Sequence, residues 1–89
     1  MKIRIDPHTL ERAQERGTNA EEIKEVIETG LPLDAKHRRS RKAKIYQFNE
    51  LRHGKFYEQK RVEVIYTTEG DTFATVTVYV FYGKWEEAK

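Results

Sequence analysis

His8, Arg12 and Arg16 stand four residues apart near the start of the chain. At about 100° per helical residue the three positions step round only some 80° in all, so they form one ridge beside the apolar stripe of Leu10 and Ala13. One imidazole and two guanidiniums lining a groove are the groups that metal-free RNA cleavage needs. An imidazole moves a proton near neutral pH, and guanidiniums stabilise the charge that builds on a pentavalent phosphate. The same residues also have a structural use: Arg12 and Arg16 can pair with Glu11, Glu15 or the next helix, leaving His8 as a first-turn residue. Spacing alone does not separate the two.

A second group is defined by charge. Residues 35 to 62 carry ten Lys/Arg against two acids, whereas residues 1 to 34 sum to −3 and residues 63 to 89 to −3. The formal net charge of +2 therefore conceals a middle segment of +8. It is densest at Lys36, Arg38, Arg39, Arg41, Lys42 and Lys44, with no acid between Asp34 and Glu50. Six cations in nine residues exceed what solubility requires, and nucleic-acid phosphates reward such clustering by releasing counterions. Arg52, His53, Lys55, Lys60 and Arg61 extend the positive field, and Tyr57, Tyr79, Phe81, Tyr82 and Trp85 offer planes on which bases can stack. Aromatics at alternating strand positions serve packing as well.

Other chemistries find little support. The chain has no cysteine, and its three histidines are scattered at 8, 37 and 53, so no zinc pattern or disulfide framework is expected. It has no glycine-rich phosphate loop and no serine elbow, and neither a metal nor a nucleotide cofactor is expected. The N-terminus lacks an apolar stretch of signal-peptide length and no segment approaches a membrane span, so the expected location is the cytoplasm, without membrane contact.

Positioning these groups falls to a chain of 89 residues, enough for one domain with one small core. Asp6-Pro7 reads as a helix start and Gly17 as its stop. Thr18-Asn19-Ala20-Glu21 reads as a capping box opening a second helix, with Ile23, Val26 and Ile27 at helical spacing until Gly30. Ala43 to Leu51 fits either period and is read as a strand. Arg61–Thr68 and Thr72–Tyr82 are β-branched and aromatic, and are read as a hairpin closed by the three-residue loop Glu69-Gly70-Asp71. That loop pairs Val62 with Val78, Val64 with Val76 and Tyr66 with Ala74, and makes the even positions the core face. The odd face then carries Arg61, Glu63, Ile65 and Thr67 against Phe73, Thr75, Thr77, Tyr79 and Phe81. The expected fold is α+β, with two N-terminal helices packed on a three- or four-stranded, mostly antiparallel sheet, all in a single domain over residues 1–89.

His8, Arg12, Arg16-Gly17, the Glu-rich second helix, Lys60-Arg61-Val62-Glu63-Val64-Ile65-Tyr66 and Val76-Thr77-Val78-Tyr79 together resemble domain-of-unknown-function family 4258. The resemblance runs over most of the chain. It implies a helix-helix-sheet domain similar to the RelE and colicin D group of small metal-independent ribonuclease toxins, often encoded beside a short antitoxin that would be the protein partner. It marks His8, Arg12, Arg16, Lys60, Thr77 and Tyr79 as positions matching the family pattern. The basic insert Lys36–Lys44 and the tail Phe81–Glu86 depart from it.

The function expected is RNA binding. The sharper form is a toxin-type endoribonuclease in which His8 is the general acid or base, Arg12, Arg16 and Arg61 hold the phosphate, and Tyr79 orients or stacks a base. In that form Lys36, Arg38, Arg39, Arg41, Lys42, Lys44 and Lys60 guide the nucleic acid. Two alternatives stand beside it: a non-catalytic nucleic-acid-binding module, and a protein-interaction domain neutralised by an acidic partner.

Overall fold

A computed structural model of the protein describes residues 2–85. It contains β1 (Lys2–Arg4), α1 (Pro7–Arg16), α2 (Ala20–Thr29), β2 (Leu31–Leu33), β3 (Ser40–Arg52), β4 (Lys55–Glu69) and β5 (Thr72–Gly83). The five strands form one sheet in the order β1-β5-β4-β3-β2. The β1–β5 pair is parallel and the rest are antiparallel. The expected three or four strands are thus corrected to five, in a mixed sheet. The two unforeseen strands have three residues each, too few for periodicity to show.

The helices begin and end for local reasons. Asp6 caps α1 by accepting from the His8 amide at 2.8 Å, and Pro7 occupies the first turn, where it forfeits no hydrogen bond. Gly17 closes the helix at φ 94°, a conformation that a side chain disfavours, and its amide returns to the Ala13 carbonyl. The cap of α2 is Asn19 rather than Thr18: the Asn19 side chain accepts from the Glu22 amide, while the Thr18 hydroxyl donates to the Glu22 carboxylate.

Both helices pack on one face of the sheet. Ala13 of α1 and Ile23, Val26 and Ile27 of α2 meet Val62, Val64, Tyr66 and Val78, all buried, with Ile3, Ile5, Tyr46, Phe73 and Val80 around them. Each fully buried aliphatic side chain in this layer contributes about 1.5–3 kcal/mol. No element covers the other face among the described residues.

The hairpin register differs from the expected one. Glu69 pairs with Thr72, so the turn is the two-residue Gly70-Asp71, with Gly70 at φ 63°. The pairing then shifts between Ile65, opposite Thr77, and Tyr66, opposite Thr75, which makes Val76 the extra residue of a β-bulge. Beyond the bulge Val64 lies opposite Val78 and Val62 opposite Val80. The even positions of β4 do form the core face. On β5 the bulge exchanges the faces: Phe73 and Thr75 point at the helices, as the Tyr66–Phe73 contact and the Thr75–Thr9 hydrogen bond show, while Tyr79 and Phe81 lie on the uncovered side. The expected odd face therefore loses Phe73 and Thr75.

Candidate functional site

Strand alternation divides the basic segment in two. Ser40, Lys42, Lys44 and Tyr46 lie opposite Tyr66, Val64, Val62 and Lys60 and share the helix face, whereas Arg41, Ala43 and Ile45 lie opposite Ile65, Glu63 and Arg61 on the uncovered face. The helix-side cations are consumed in the structure. Lys42 Nζ donates to the Ile27 carbonyl at 2.7 Å, near the C-terminus of α2. Lys44 Nζ reaches Thr29 Oγ1 at 3.0 Å and the Glu25 carboxylate at 3.4 Å. Lys60, nearly buried, donates to the Gly17 carbonyl and to Glu22, both at 2.8 Å. Carbonyls at a helix end carry partial negative charge, so these contacts suit lysines.

Tyr46 completes this side by donating to Glu25 at 2.6 Å. That hydrogen bond, aided by the Lys44 charge, holds the Glu25 carboxyl below its usual range. Burial, together with the Glu25 contact, pushes the Tyr46 phenol above its ordinary value. Burial also raises Tyr82, whose hydroxyl donates to the Arg16 carbonyl. Arg52 stands over the Tyr82 ring and donates to the Glu15 carbonyl. A Cβ on Gly17 would lie 2.1 Å from the Tyr82 hydroxyl, so a side chain at that junction would have to displace the Tyr82 hydroxyl.

The uncovered face is organised by Glu63. Its side chain is only 3% exposed, although it lies on the side without helices, because two guanidiniums close over it. Arg41 donates through Nε at 2.9 Å and also through Nη2 to one carboxylate oxygen, and Arg61 Nη2 stands 2.8 Å from the other. One carboxylate between two guanidiniums leaves a net positive centre, held rigid by charge-assisted hydrogen bonds. Tyr79 is the cross-strand partner of Glu63, and Phe81 that of Arg61. Both rings are substantially exposed, with centroids 6.4 Å apart and planes 29° from parallel. The Arg16 guanidinium donates to the Val78 carbonyl and lies 5.1 Å from the centre of the Tyr79 ring.

Lys36, Arg38 and Arg39 lie in the turn that joins β2 to β3. His37 and Arg38 both have φ 60°, and Arg39 N returns to the Lys36 carbonyl at 3.3 Å. Two consecutive positive φ values belong to a type I′ turn, where Asn-Gly is preferred and ordinary side chains are strained. The turn overhangs a cavity of about 280 Å³ lined by Asp34, Lys36, His37, Arg39, Arg41 and Ile65, which joins it to the uncovered face.

The first-helix ridge does not assemble into a cleft. The His8 side chain is 88% exposed and its ring contacts Asp6 at 3.1 Å; Arg12 pairs with Glu15 at 3.2 Å. Eight residues of helix place His8 about 12 Å along the axis from Arg16. Of the five residues singled out for chemistry, the structure brings Arg16, Arg61 and Tyr79 together and leaves His8 and Arg12 outside. Of the seven singled out for nucleic acid, Lys36, Arg38, Arg39 and Arg41 line the uncovered side and its turn, whereas Lys42, Lys44 and Lys60 serve the helix layer. Sequence reasoning missed Glu63 as a site residue and named Phe81 only among the rings on which bases can stack. The signal for Glu63 was a single acid within a β-branched run, two positions from an arginine. Among the described residues no group of three or more His, Asp or Glu is placed to hold a metal ion. No described helix is long and apolar enough to cross a membrane.

A layer of two helices on one side of a mixed five-stranded sheet, with a basic and aromatic opposite side, defines a two-layer α+β domain. Residues 5–80 match the family described as Domain of unknown function (DUF4258), and the chain belongs to that family. No curated protein and no solved structure matches the chain.

Proposed function

We propose that the chain binds RNA through the uncovered face of its sheet and the adjoining β2–β3 turn, acting as a binding module. The observation that carries this reading is the Arg41–Glu63–Arg61 clamp beside two exposed rings, a pairing of phosphate donors with stacking surface. Titrating a labelled RNA of mixed sequence by fluorescence anisotropy tests it. Affinity should fall with salt at a log–log slope of about −2, as expected for roughly three phosphates on a single strand. Arg39→Ala should weaken binding and Lys42→Ala should not. A flat salt dependence, or an equal loss in both variants, overturns the reading, and the same titration with DNA of matching sequence gives the preference between the two.

The finer reading, a RelE-like or colicin D-like endoribonuclease toxin countered by a small antitoxin, has one observation in its favour: Arg16 lies against the Tyr79 ring, and Arg61 is bound to Glu63, the cross-strand partner of Tyr79. Two guanidiniums can stabilise a pentavalent phosphate, and a phenol can position a hydroxyl. His8 has no part in that arrangement. Total RNA incubated with the protein in EDTA should be cut and should be spared by Arg61→Ala; intact RNA with wild-type protein removes the catalytic reading and leaves binding in place.

A further inference from the structure

We infer that the uncovered face takes single-stranded RNA in preference to duplex, by admitting one unpaired base between the rings of Tyr79 and Phe81. This rests on the RNA-binding reading above. The two rings differ from the other aromatic pairs of the protein. Phe48–Tyr82 and Tyr66–Phe73 meet edge to face, at 62° and 65° with centroids 5.1 Å apart, and Tyr57–Tyr82 is tilted at 45° with centroids 5.6 Å apart; none of these rings is exposed as Tyr79 and Phe81 are. Tyr79 and Phe81 are nearly parallel, stand farther apart at 6.4 Å, and are 39% and 45% exposed. Bases stacked along a strand rise about 3.4 Å each, so a base held between two rings needs about 6.8 Å between their planes. Parting the two exposed rings to that spacing admits one.

The surroundings suit a nucleotide whose base enters there. Phe81 lies directly opposite Arg61 and Tyr79 opposite Glu63, so the Arg61 guanidinium is one side-chain spacing from the slot, within reach of the phosphate next to the inserted base. Arg16 adds a second cation against Tyr79. β1 pairs only with Thr72–Ala74, so it offers no wall beside Tyr79 and Phe81, and a strand can run off the sheet past them. A duplex cannot use this slot. Its bases are stacked within the helix, and an A-form helix offers a flat protein surface phosphates, 2′-hydroxyls and base edges but no base faces.

The test uses the full chain and an RNA of about twelve nucleotides carrying one 2-aminopurine, compared with the same strand annealed to its complement and with a version abasic at the labelled position. The single strand should bind at least about 10-fold tighter than the duplex, and its 2-aminopurine fluorescence should be quenched on binding. Tyr79→Ala and Phe81→Leu should each lower single-strand affinity by about 5- to 10-fold and leave duplex affinity unchanged, while Phe81→Trp retains it. Both positions are exposed, and a thermal melt of each variant verifies folding. Equal or tighter duplex binding, undiminished affinity for the abasic strand, or unchanged affinity in both variants overturns the inference alone. Failure of both strand forms to bind at low salt overturns it together with the RNA-binding reading.

Discussion

The two faces of the sheet are built from the same three strands, yet they treat charge in opposite ways. On the helix face Lys42, Lys44 and Lys60 are met by helix-end carbonyls and by Glu22 and Glu25. On the other face one buried carboxylate serves two arginines, and the turn beyond them carries three further cations against Asp34. Where β3 and β4 pair regularly, Lys42, Lys44 and Lys60 face the helices and Arg41 and Arg61 the open side. Each lysine ammonium is a point charge taken up by carbonyl, hydroxyl or carboxylate oxygens of the helix layer, whereas Arg41 and Arg61 take one Glu63 oxygen each and keep further N–H donors. A run of like charge is thus half scaffold and half open surface, and the alternation of one strand decides which half each residue joins.

The sharpest way to break this comparison is to empty the uncovered face of its cations. Replacing Arg41 and Arg61 together by Met should cost about 3–5 kcal/mol in urea unfolding, because Glu63 is left buried without a partner; adding Glu63→Gln should restore a good part of it. A loss no greater than that of two surface arginines would mean that Glu63 is not the organiser. Ile23→Ala, at a fully buried position under the opposite face, should cost about 2–5 kcal/mol while leaving RNA affinity of the folded protein unchanged. An affinity loss in that variant would show that the two faces are coupled.

Smaller effects sharpen the contrast. Lys42→Met removes a charged hydrogen bond to the Ile27 carbonyl and should cost about 1.5–3 kcal/mol without weakening binding. His37→Asn with Arg38→Gly supplies the residues that a type I′ turn prefers. This pair should stabilise the protein by about 1 kcal/mol, raising the melting temperature by several degrees, and should weaken RNA binding through the lost Arg38 charge. A melting temperature that falls would show that His37 and Arg38 are held by contacts rather than strained.

The smallest effect is electrostatic. Glu25 titrates below its usual range, so its contribution is present above the unfolded value and is lost as pH falls through the folded one. Tyr46 titrates above its ordinary value near 10, so its contribution is complete below that pH and declines as alkali ionises the phenol in the folded state. Tyr46→Phe should raise the Glu25 titration observed by carboxyl NMR and flatten the loss of stability above pH 10. An unmoved Glu25 would separate the two groups.

Much of this architecture is legible in the sequence where one local rule governs. Asp6-Pro7, Gly17 and Gly30 mark the helix ends because caps are local, and the even positions of β4 read as core because β-branched residues recur there. Legibility fails where two elements must be placed against each other. The strands Leu31–Leu33 and Lys2–Arg4 exist only because a longer neighbour accepts their hydrogen bonds. Lys42 and Arg41 look alike in sequence, and only the helix packed over one side separates them. The first-helix ridge has the spacing expected of it, but α1 meets the sheet through Thr9 and Ala13, which turns the neighbouring His8 to solvent.

The bulge at Val76 bears on how this chain can vary in length. Turn pairing and core pairing run in two phases one residue apart, and Val76 takes up the difference. Removing it leaves Thr77 opposite Ile65 and Val78 opposite Val64, with Tyr79 and Phe81 still facing outward. The strand therefore carries one residue of slack. A single deletion there is absorbed without turning Tyr79 and Phe81 inward, whereas a single insertion between Thr77 and Phe81 has no such reserve to draw on.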